Sequence, residues 1–157
     1  MPSVTTPISG SLNRILVIDD LPLIPIAFQE VFRKTNPSAH VSYSENIYAA
    51  LSAKAWDNTV FDLVIIGTLH EGYTTSLQLA VSDLRNRFGQ PLIMIYSSVY
   101  DPAIVQNMTT AGIDAYVHKY EPVHEIRRVY EQLSKGEPCV SAIFLTLLSY
   151  PHIPPIH

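Results

Sequence analysis

Side chains suited to phosphoryl groups and divalent cations follow three apolar runs of this sequence. Asp19 and Asp20 follow the run Ile-Leu-Val-Ile, Ser97 follows Leu-Ile-Met-Ile-Tyr, and Lys119 follows Tyr-Val-His. Two adjacent carboxylates suit a hard cation such as Mg²⁺, and a hydroxyl and an ammonium suit phosphoryl oxygens. Together these residue types predict a pocket that accepts a phosphoryl group.

Gly67 and Thr68 follow a further run of the same kind, Leu-Val-Ile-Ile. If the runs are parallel strands, their carboxyl ends meet at one edge of the sheet, where ligands bind in such folds. We therefore expect one site to contain the six residues at these ends: Asp19, Asp20, Gly67, Thr68, Ser97 and Lys119.

The apolar runs are typical of buried strands and alternate with amphipathic helices. Strands are predicted over 14–20, 40–43, 61–67, 91–97 and 115–118. Helices are predicted from Pro22 onward and over 45–54, 74–88, 101–111 and 122–134, with one further apolar helix over 140–148. Five rounds of strand and helix predict an α/β fold with a doubly wound, five-stranded parallel sheet.

Composition narrows the class of protein. The 157 residues suit one domain, and 47% apolar against 15% charged residues excludes disorder. A net charge of −4 argues against a surface that grips nucleic-acid phosphates. One cysteine, Cys139, excludes a disulfide framework, and six scattered histidines give no metal site. No apolar run reaches the roughly 18 residues of a membrane span, so we expect a cytoplasmic protein without membrane contact.

The strand ends and their spacing resemble the receiver domain of response regulators over about residues 13–136. The resemblance rests on Asp19-Asp20-Leu21-Pro22-Leu23, on 62–66, on Ser97, on 112–116 and on Lys119. Ser97 lies 30 residues after Gly67 and Lys119 lies 22 after Ser97, which are the family's intervals. The Asp-Asp-x-Pro-Leu start and the Gly136-Glu137 segment are similar to the NarL/FixJ (LuxR-type) subfamily. The resemblance implies a flavodoxin-like (βα)5 fold.

One position departs from the family pattern. The resemblance implies a phosphoacceptor aspartate where this sequence has Gly67, and glycine cannot form an acyl phosphate. Only Asp19 and Asp20 remain as charged ligands, so we expect Mg²⁺ binding to be weak or lost and no other cofactor to be needed. We also expect Lys119 to pair directly with Asp19 or Asp20.

Several residues keep two interpretations. Either His70 is a substitute phosphoacceptor or Glu71 is a built-in mimic of the acidic state, or both belong to an ordinary solvated loop, which we favour. Tyr116 occupies the position of the family's switch aromatic, and the sequence leaves open whether it points inward or outward.

The resemblance also implies a dimerisation face made by the fourth helix, fifth strand and fifth helix, over 101–112, 115–118 and 122–134. Mixed charges on such a face select partners more than they add affinity, and a merely solvated helix face is equally compatible with them. The residues assigned to a dimer or partner face are Tyr120, Glu121, Glu125, Arg127, Arg128 and Glu131.

The sequence predicts a flexible leader over 1–13, a receiver-like domain over 14–136 and a linker over 137–157 that allows an extra helix. The first functional hypothesis is a phosphorylation-independent response-regulator module that controls transcription by forming a homodimer or heterodimer, or by binding a partner or ligand. DNA would be contacted only through a helix-turn-helix domain absent from this chain. The alternative is a stand-alone adaptor that binds another signalling protein without DNA. Catalysis is not expected, because the strand ends offer no nucleophile, base and orienting group together.

Overall fold

A computed structural model describes residues 11–67 and 77–149, and its centre is a parallel sheet. The described strands are β1 Arg14–Ile18, β2 His40–Ser44, β3 Leu63–Ile66, β4 Leu92–Ser97, β5 Ala115–His118 and β6 Cys139–Val140. They lie in the order β2-β1-β3-β4-β5-β6, and every neighbouring pair is parallel. The strand order reverses between β1 and β3, which is where ligand sites form in sheets of this kind.

Seven α-helices are described along the chain. They are α1 Leu23–Thr35, α2 Ile47–Ser52, α3 Leu77–Phe88, α4 Pro102–Gln106, α5 Met108–Ala111, α6 Val123–Ser134 and α7 Ala142–Ser149, and a 3-10 turn covers Lys54–Trp56. No helix in the described ranges has the length and apolar character needed to span a bilayer.

Alternation along the strands divides the core into two layers, one on each face of the sheet. Ile15 and Val17 of β1 belong to the layer that α1 and α6 cover, whereas Leu16 and Ile18 belong to the layer covered by α2, α3, α5 and α7. β1 from its second residue onward and all of β3 are buried. Helices on both faces therefore confirm the doubly wound arrangement that the apolar runs predicted.

The sheet has six strands, so the prediction of five was wrong. Cys139 and Val140 pair with Ala115 and Tyr116 of β5 and extend the sheet by one short strand. The apolar residues over 140–148 predict a single helix, because a short apolar run does not distinguish a buried strand from a helix. The structure shows the helix beginning only at Ala142, after the strand.

The predicted helix over 101–111 is divided at Asn107 into α4 and α5. Its two ends lie within one residue of the predicted ones. The Asp101 side chain accepts a hydrogen bond from Ala103 N at 3.0 Å, Pro102 is the first helical residue, and Gly112 ends α5 with a φ of 75°. The helix predicted over 45–54 is shorter than expected and begins after Asn46, whose side chain caps it.

Glu121 and Glu125 do not lie on an open partner face, which corrects their assignment. The residues are only 7% and 6% exposed, because α7 packs over them. Glu125 Oε2 accepts a hydrogen bond from Ala142 N at 2.7 Å, and Glu121 Oε2 accepts one from Ile143 N at 2.6 Å. Two carboxylates thus satisfy amide groups in the first turn of α7, where no partner exists within the helix.

The remaining residues assigned to that face have mixed environments. Tyr120 is 78% exposed, and Glu131 and Arg128 are also exposed, whereas Arg127 is half-buried. Arg128 forms two hydrogen bonds of 2.7 Å with the Glu125 carboxylate, so its charge is directed along α6. Their role in partner contact stays a prediction.

We expect Glu125→Gln to weaken the fold in a pH-dependent way. The hydrogen bonds from Arg128 hold the pKa of the Glu125 carboxyl below its ordinary value of 4.5. The ionised form therefore stabilises the fold above that value, and this contribution is lost as pH falls through the lowered pKa. The variant should lose roughly 1–3 kcal/mol of unfolding free energy at neutral pH, and the difference from the wild type should narrow in acid.

Denaturant titrations between neutral pH and pH 3 would measure this difference. Glu131→Gln is the matched control, because Glu131 lies exposed on the same helix, and it should follow the wild type. A difference between wild type and Glu125→Gln that stays constant with pH would contradict the assignment.

Candidate functional site

The carboxyl ends of β1 and β3 bring Asp19 and Gly67 together. Gly67 N donates a hydrogen bond to Ile18 O at 2.7 Å, and Asp19 N donates one to Ser44 O at 3.0 Å, which continues the ladders past the strands. Asp19 has no exposed surface, whereas Asp20, the next residue, is exposed. The two adjacent acids therefore have different surroundings.

The Asp19 carboxylate occupies the space in which a side chain at position 67 would begin. A Cβ added to Gly67 would lie 2.9 Å from Asp19 Cγ and 3.2 Å from Asp19 Cβ, with Oδ2 closer still. The contacts with Cγ and Oδ2 are too short for real atoms, so only glycine is compatible with this position of Asp19. The observed position of the buried Asp19 carboxylate therefore depends on the absence of a side chain at position 67.

Lys119 forms an ion pair with the Asp19 carboxylate. Its Nζ lies 3.4 Å from Asp19 Oδ2, so the expected pairing of Lys119 with one of the two acids is present, and the partner is Asp19. Asp19 Oδ1 accepts a hydrogen bond from Leu21 N at 2.9 Å. Each carboxylate oxygen thus has a polar partner, as burial of a charge requires.

Tyr96 packs against this ion pair, and the sequence did not predict it as a site residue. Its hydroxyl donates to Lys119 O at 3.2 Å, and the Lys119 ammonium lies 5.7 Å from its ring centroid. Burial, and then the Asp19 carboxylate, raise the pKa of Tyr96. The sequence signal that could have identified Tyr96 is its position one residue before Ser97, at the end of a strand. Its side chain faces the core layer covered by α1 and α6.

Ser97 is half-buried at the end of β4, and its hydroxyl is engaged within its own loop. Ser97 Oγ accepts a hydrogen bond from Val99 N at 3.0 Å. The sheet thus brings five of the six predicted site residues to the expected edge, and four of them directly continue the strands or end them: Asp19, Gly67, Ser97 and Lys119. Asp20 follows at the same edge, and Thr68 lies outside the described residues, as do His70 and Glu71.

Tyr116 is completely buried, which answers the question that the sequence left open. Its hydroxyl donates to Val99 O at 2.6 Å and accepts from Asp101 N at 2.9 Å. Its ring stacks on Phe144 of α7, with centroids 4.0 Å apart. Burial raises the pKa of this phenol. Tyr116 therefore connects α7 to the loop between β4 and α4.

The described residues do not fit a magnesium and phosphoryl site. Mg²⁺ needs well-placed carboxylates and close to octahedral geometry, whereas Asp19 is already bound to Leu21 N and Lys119. Position 67 has no side chain that could accept a phosphoryl group. Within the described part of the chain, no group of three histidine, cysteine or acidic residues is placed to hold a metal ion.

Comparison with known proteins places this architecture among receiver domains. No protein-family model and no curated protein matches the chain. A LuxR-family two-component response regulator from Aurantimonas sp. SI85-9A1 matches with a TM-score of 0.69 at 21% identity, over 87% of this chain and 94% of that one. The receiver domain of a response regulator named NarL from Mycobacterium tuberculosis matches with a TM-score of 0.62 at 20% identity, over 82% and 100%.

A structure of two RcsB dimers bound to two parallel DNAs also matches, with a TM-score of 0.70 at 15% identity, over 92% of this chain and 72% of that one. Identities this low establish the fold and no more. The chain has the α/β fold of response-regulator receiver domains, with a sixth strand at the β5 edge. At the carboxyl ends of its strands lie Gly67 and an ion pair between the buried Asp19 and Lys119.

We expect Gly67→Ala to destabilise the fold because of Asp19 and not because of backbone strain. The added methyl group collides with the Asp19 carboxylate, and such overpacking costs about 1–3 kcal/mol. In an Asp19→Ala background the same substitution should cost far less, which gives a coupling of at least about 1 kcal/mol.

Chemical denaturation of the wild type, both single variants and the double variant measures this coupling. Equal costs of Gly67→Ala in both backgrounds would show that Asp19 does not fill the space over residue 67.

Proposed function

We propose that this chain is a signal-receiving regulatory domain that acts without phosphorylation. It controls an output through dimerisation or through binding of a partner or ligand. In the hypothesis that we favour, this output is transcription, and any contact with DNA is made by a separate helix-turn-helix domain. The observation that carries the proposal is the buried Asp19 carboxylate, which lies over Gly67 and is paired with Lys119.

The occupied pocket bears directly on how such a domain is switched. A phosphoryl group shifts the conformational population of a receiver because it binds one state better than the other. In this chain the Lys119 ammonium already has an anionic partner from β1, so the internal carboxylate takes the place that an external anion would use. The resting conformation is then set by packing, and any change must come from another contact.

The link to transcription rests on the solved neighbours. The Aurantimonas protein is described as a LuxR-family response regulator, and the RcsB structure contains dimers on DNA. These properties belong to those proteins, and they favour the same kind of output here. The neighbours are regulators and not enzymes, which fits signalling without catalysis.

A stand-alone adaptor is the second candidate, and one observation favours it. Residues Cys139–Ser149, predicted as part of a linker that allows an extra helix, pack as a strand and a helix on the sheet edge. A segment that packs in this way is less suited to leading directly into another domain. The reading frame downstream of residue 157 separates the candidates, because a helix-turn-helix signature within about 20 residues favours the first.

Titration of the isotope-labelled chain with Mg²⁺, and then with Mg²⁺ plus beryllofluoride, tests phosphorylation independence. We expect no saturable shifts at the amides of Asp19, Gly67, Ser97 and Lys119, because Asp19 and Lys119 already neutralise each other. The light-scattering mass of the same samples should also stay unchanged. Saturable shifts at these amides would overturn the proposal.

Gly67→Asp is the informative variant for the same titration. It restores a carboxylate at the end of β3 and forces the Asp19 side chain out of the space that it fills. We expect Mg²⁺ binding to appear in this variant, at a millimolar midpoint or tighter, since two or more carboxylates then face the same site. If the wild type and Gly67→Asp responded alike to Mg²⁺, position 67 would not control the pocket.

A further inference from the structure

The last described segment, Cys139–Ser149, is attached to the sheet edge by few backbone contacts. We call this segment the C-terminal arm. Only two residues of β6 pair with β5. Cys139 N donates to Asp114 O at 3.0 Å, Ser141 N donates to Tyr116 O at 2.9 Å, and Ser141 Oγ accepts from His118 N at 3.0 Å. A ladder this short at a sheet edge contributes little cooperativity by itself.

Phe144 is the apolar anchor of the arm. It is completely buried, and its ring lies 4.0 Å from Tyr116, 5.0 Å from His118 and 5.8 Å from Tyr100, measured between centroids. Stacked aromatic pairs of this kind add to the free energy gained by burial alone. The position of Phe144 therefore depends on the buried orientation of Tyr116, and the reverse is equally true.

Two carboxylates of the main body form the polar anchor. Glu121 and Glu125 accept hydrogen bonds from Ile143 N and Ala142 N in the first turn of α7. Negative charge at a helix N-terminus is favourable because of the helix dipole. Both anchors act on the beginning of α7, so the arm is held mainly at one end.

The rest of α7 is weakly attached. Leu145, Leu147 and Leu148 are 46%, 40% and 39% exposed, although they are apolar. Segments with few buried contacts open locally at a lower free energy than the whole domain unfolds. The connection before the arm contains Gly136, with a φ of 77°, and Pro138, and residues 135–138 are all exposed. The connection between α6 and the arm is therefore open to solvent, and α6 holds the arm through the side chains of Glu125, Arg128 and Gln132.

We propose that the C-terminal arm is an intramolecular latch that covers the edge of β5 and the adjacent surface of α6. The latch keeps Tyr116 buried while it is closed. Its release uncovers this surface for self-association with a second copy of the chain. An edge strand without its neighbour presents unpaired N–H and C=O groups, and the same edge of a second copy would pair with it about a two-fold axis.

The latch also reaches the candidate site. Tyr116 binds Val99 O and Asp101 N, and Val99 N binds Ser97 Oγ. A contact that moves Phe144 would thus be transmitted to the loop after β4 through one ring and its hydroxyl. This inference concerns regulation of the proposed regulatory module and rests on it for its biological meaning, whereas the opening of the arm is measurable separately.

Native-state hydrogen exchange of the full chain at increasing low denaturant concentration tests the opening. We expect the Ala142 and Ile143 amides to be at least about tenfold less protected than amides of β1 and β3, with weak dependence on denaturant. The inference is overturned if the arm amides share the protection of β1 at every denaturant concentration, because the arm then opens only when the domain unfolds.

Light-scattering mass over a concentration series tests the consequence of release. Phe144→Ala should lower the concentration at which dimers form by at least about tenfold, while Leu145→Ala, an exposed neighbour on the same helix, should behave as the wild type. Glu121→Gln leaves Phe144 in place and should act in the same direction with a smaller change.

A folded Phe144→Ala chain with an exposed arm and an unchanged mass overturns the gating, and a Phe144→Ala chain that does not fold shows the arm to be an integral part of the core. These readouts differ from the Mg²⁺ and beryllofluoride titration. Failure of the latch and failure of the proposed function are therefore distinguishable.

Discussion

The buried Asp19 carboxylate is the constraint from which the rest of the site follows. It comes from the end of β1, fills the space over Gly67 at the end of β3, and is paired with Lys119 from the end of β5. In the sheet, β3 and β4 lie between β1 and β5, so the ion pair connects strands that are not neighbours. A buried charge without partners is strongly unfavourable, which means that the three strand ends can hardly change independently.

This arrangement fixes two features of the site at once. Position 67 has no side chain, and the space in which one would begin is filled by the Asp19 carboxylate. The ammonium of Lys119 remains 26% exposed and 3.4 Å from Asp19. The pair is therefore a moderate contact and not a tight one, and its effect comes mainly from occupying the pocket.

The edge of β5 is covered by the C-terminal end of the described chain itself. Glu121 and Glu125 look like surface charges in a helical pattern, yet they bind the first amides of α7. Tyr116 is held between Phe144 and the loop after β4. Electrostatic and aromatic contacts thus converge on the β5 edge. Tyr120 and the leucines of α7 remain exposed there, as do Arg128 and Glu131 of α6.

Local patterns explain which features the sequence predicted correctly. Runs such as Ile15–Ile18 indicate buried strands because their neighbours are apolar on both faces, and Asp101, Pro102 and Gly112 mark helix ends through interactions within a few residues. The short strand at Cys139 and Val140 was missed because two apolar residues before an apolar helix carry no period of their own. The break of the helix at Asn107 has no equally local signal.

The sequence by itself determined the alternation of strands and helices, the edge at which Asp19, Gly67, Ser97 and Lys119 meet, and the absence of a side chain at position 67. These follow from residue type and from short-range periodicity. Only the tertiary structure decided that Asp19 and not Asp20 is buried against Lys119, 100 residues away in the chain, and that α7 covers Glu121, Glu125 and Tyr116. The physical reason is that burial and pairing depend on which distant surfaces pack together, and that information is not present in any local pattern of the sequence.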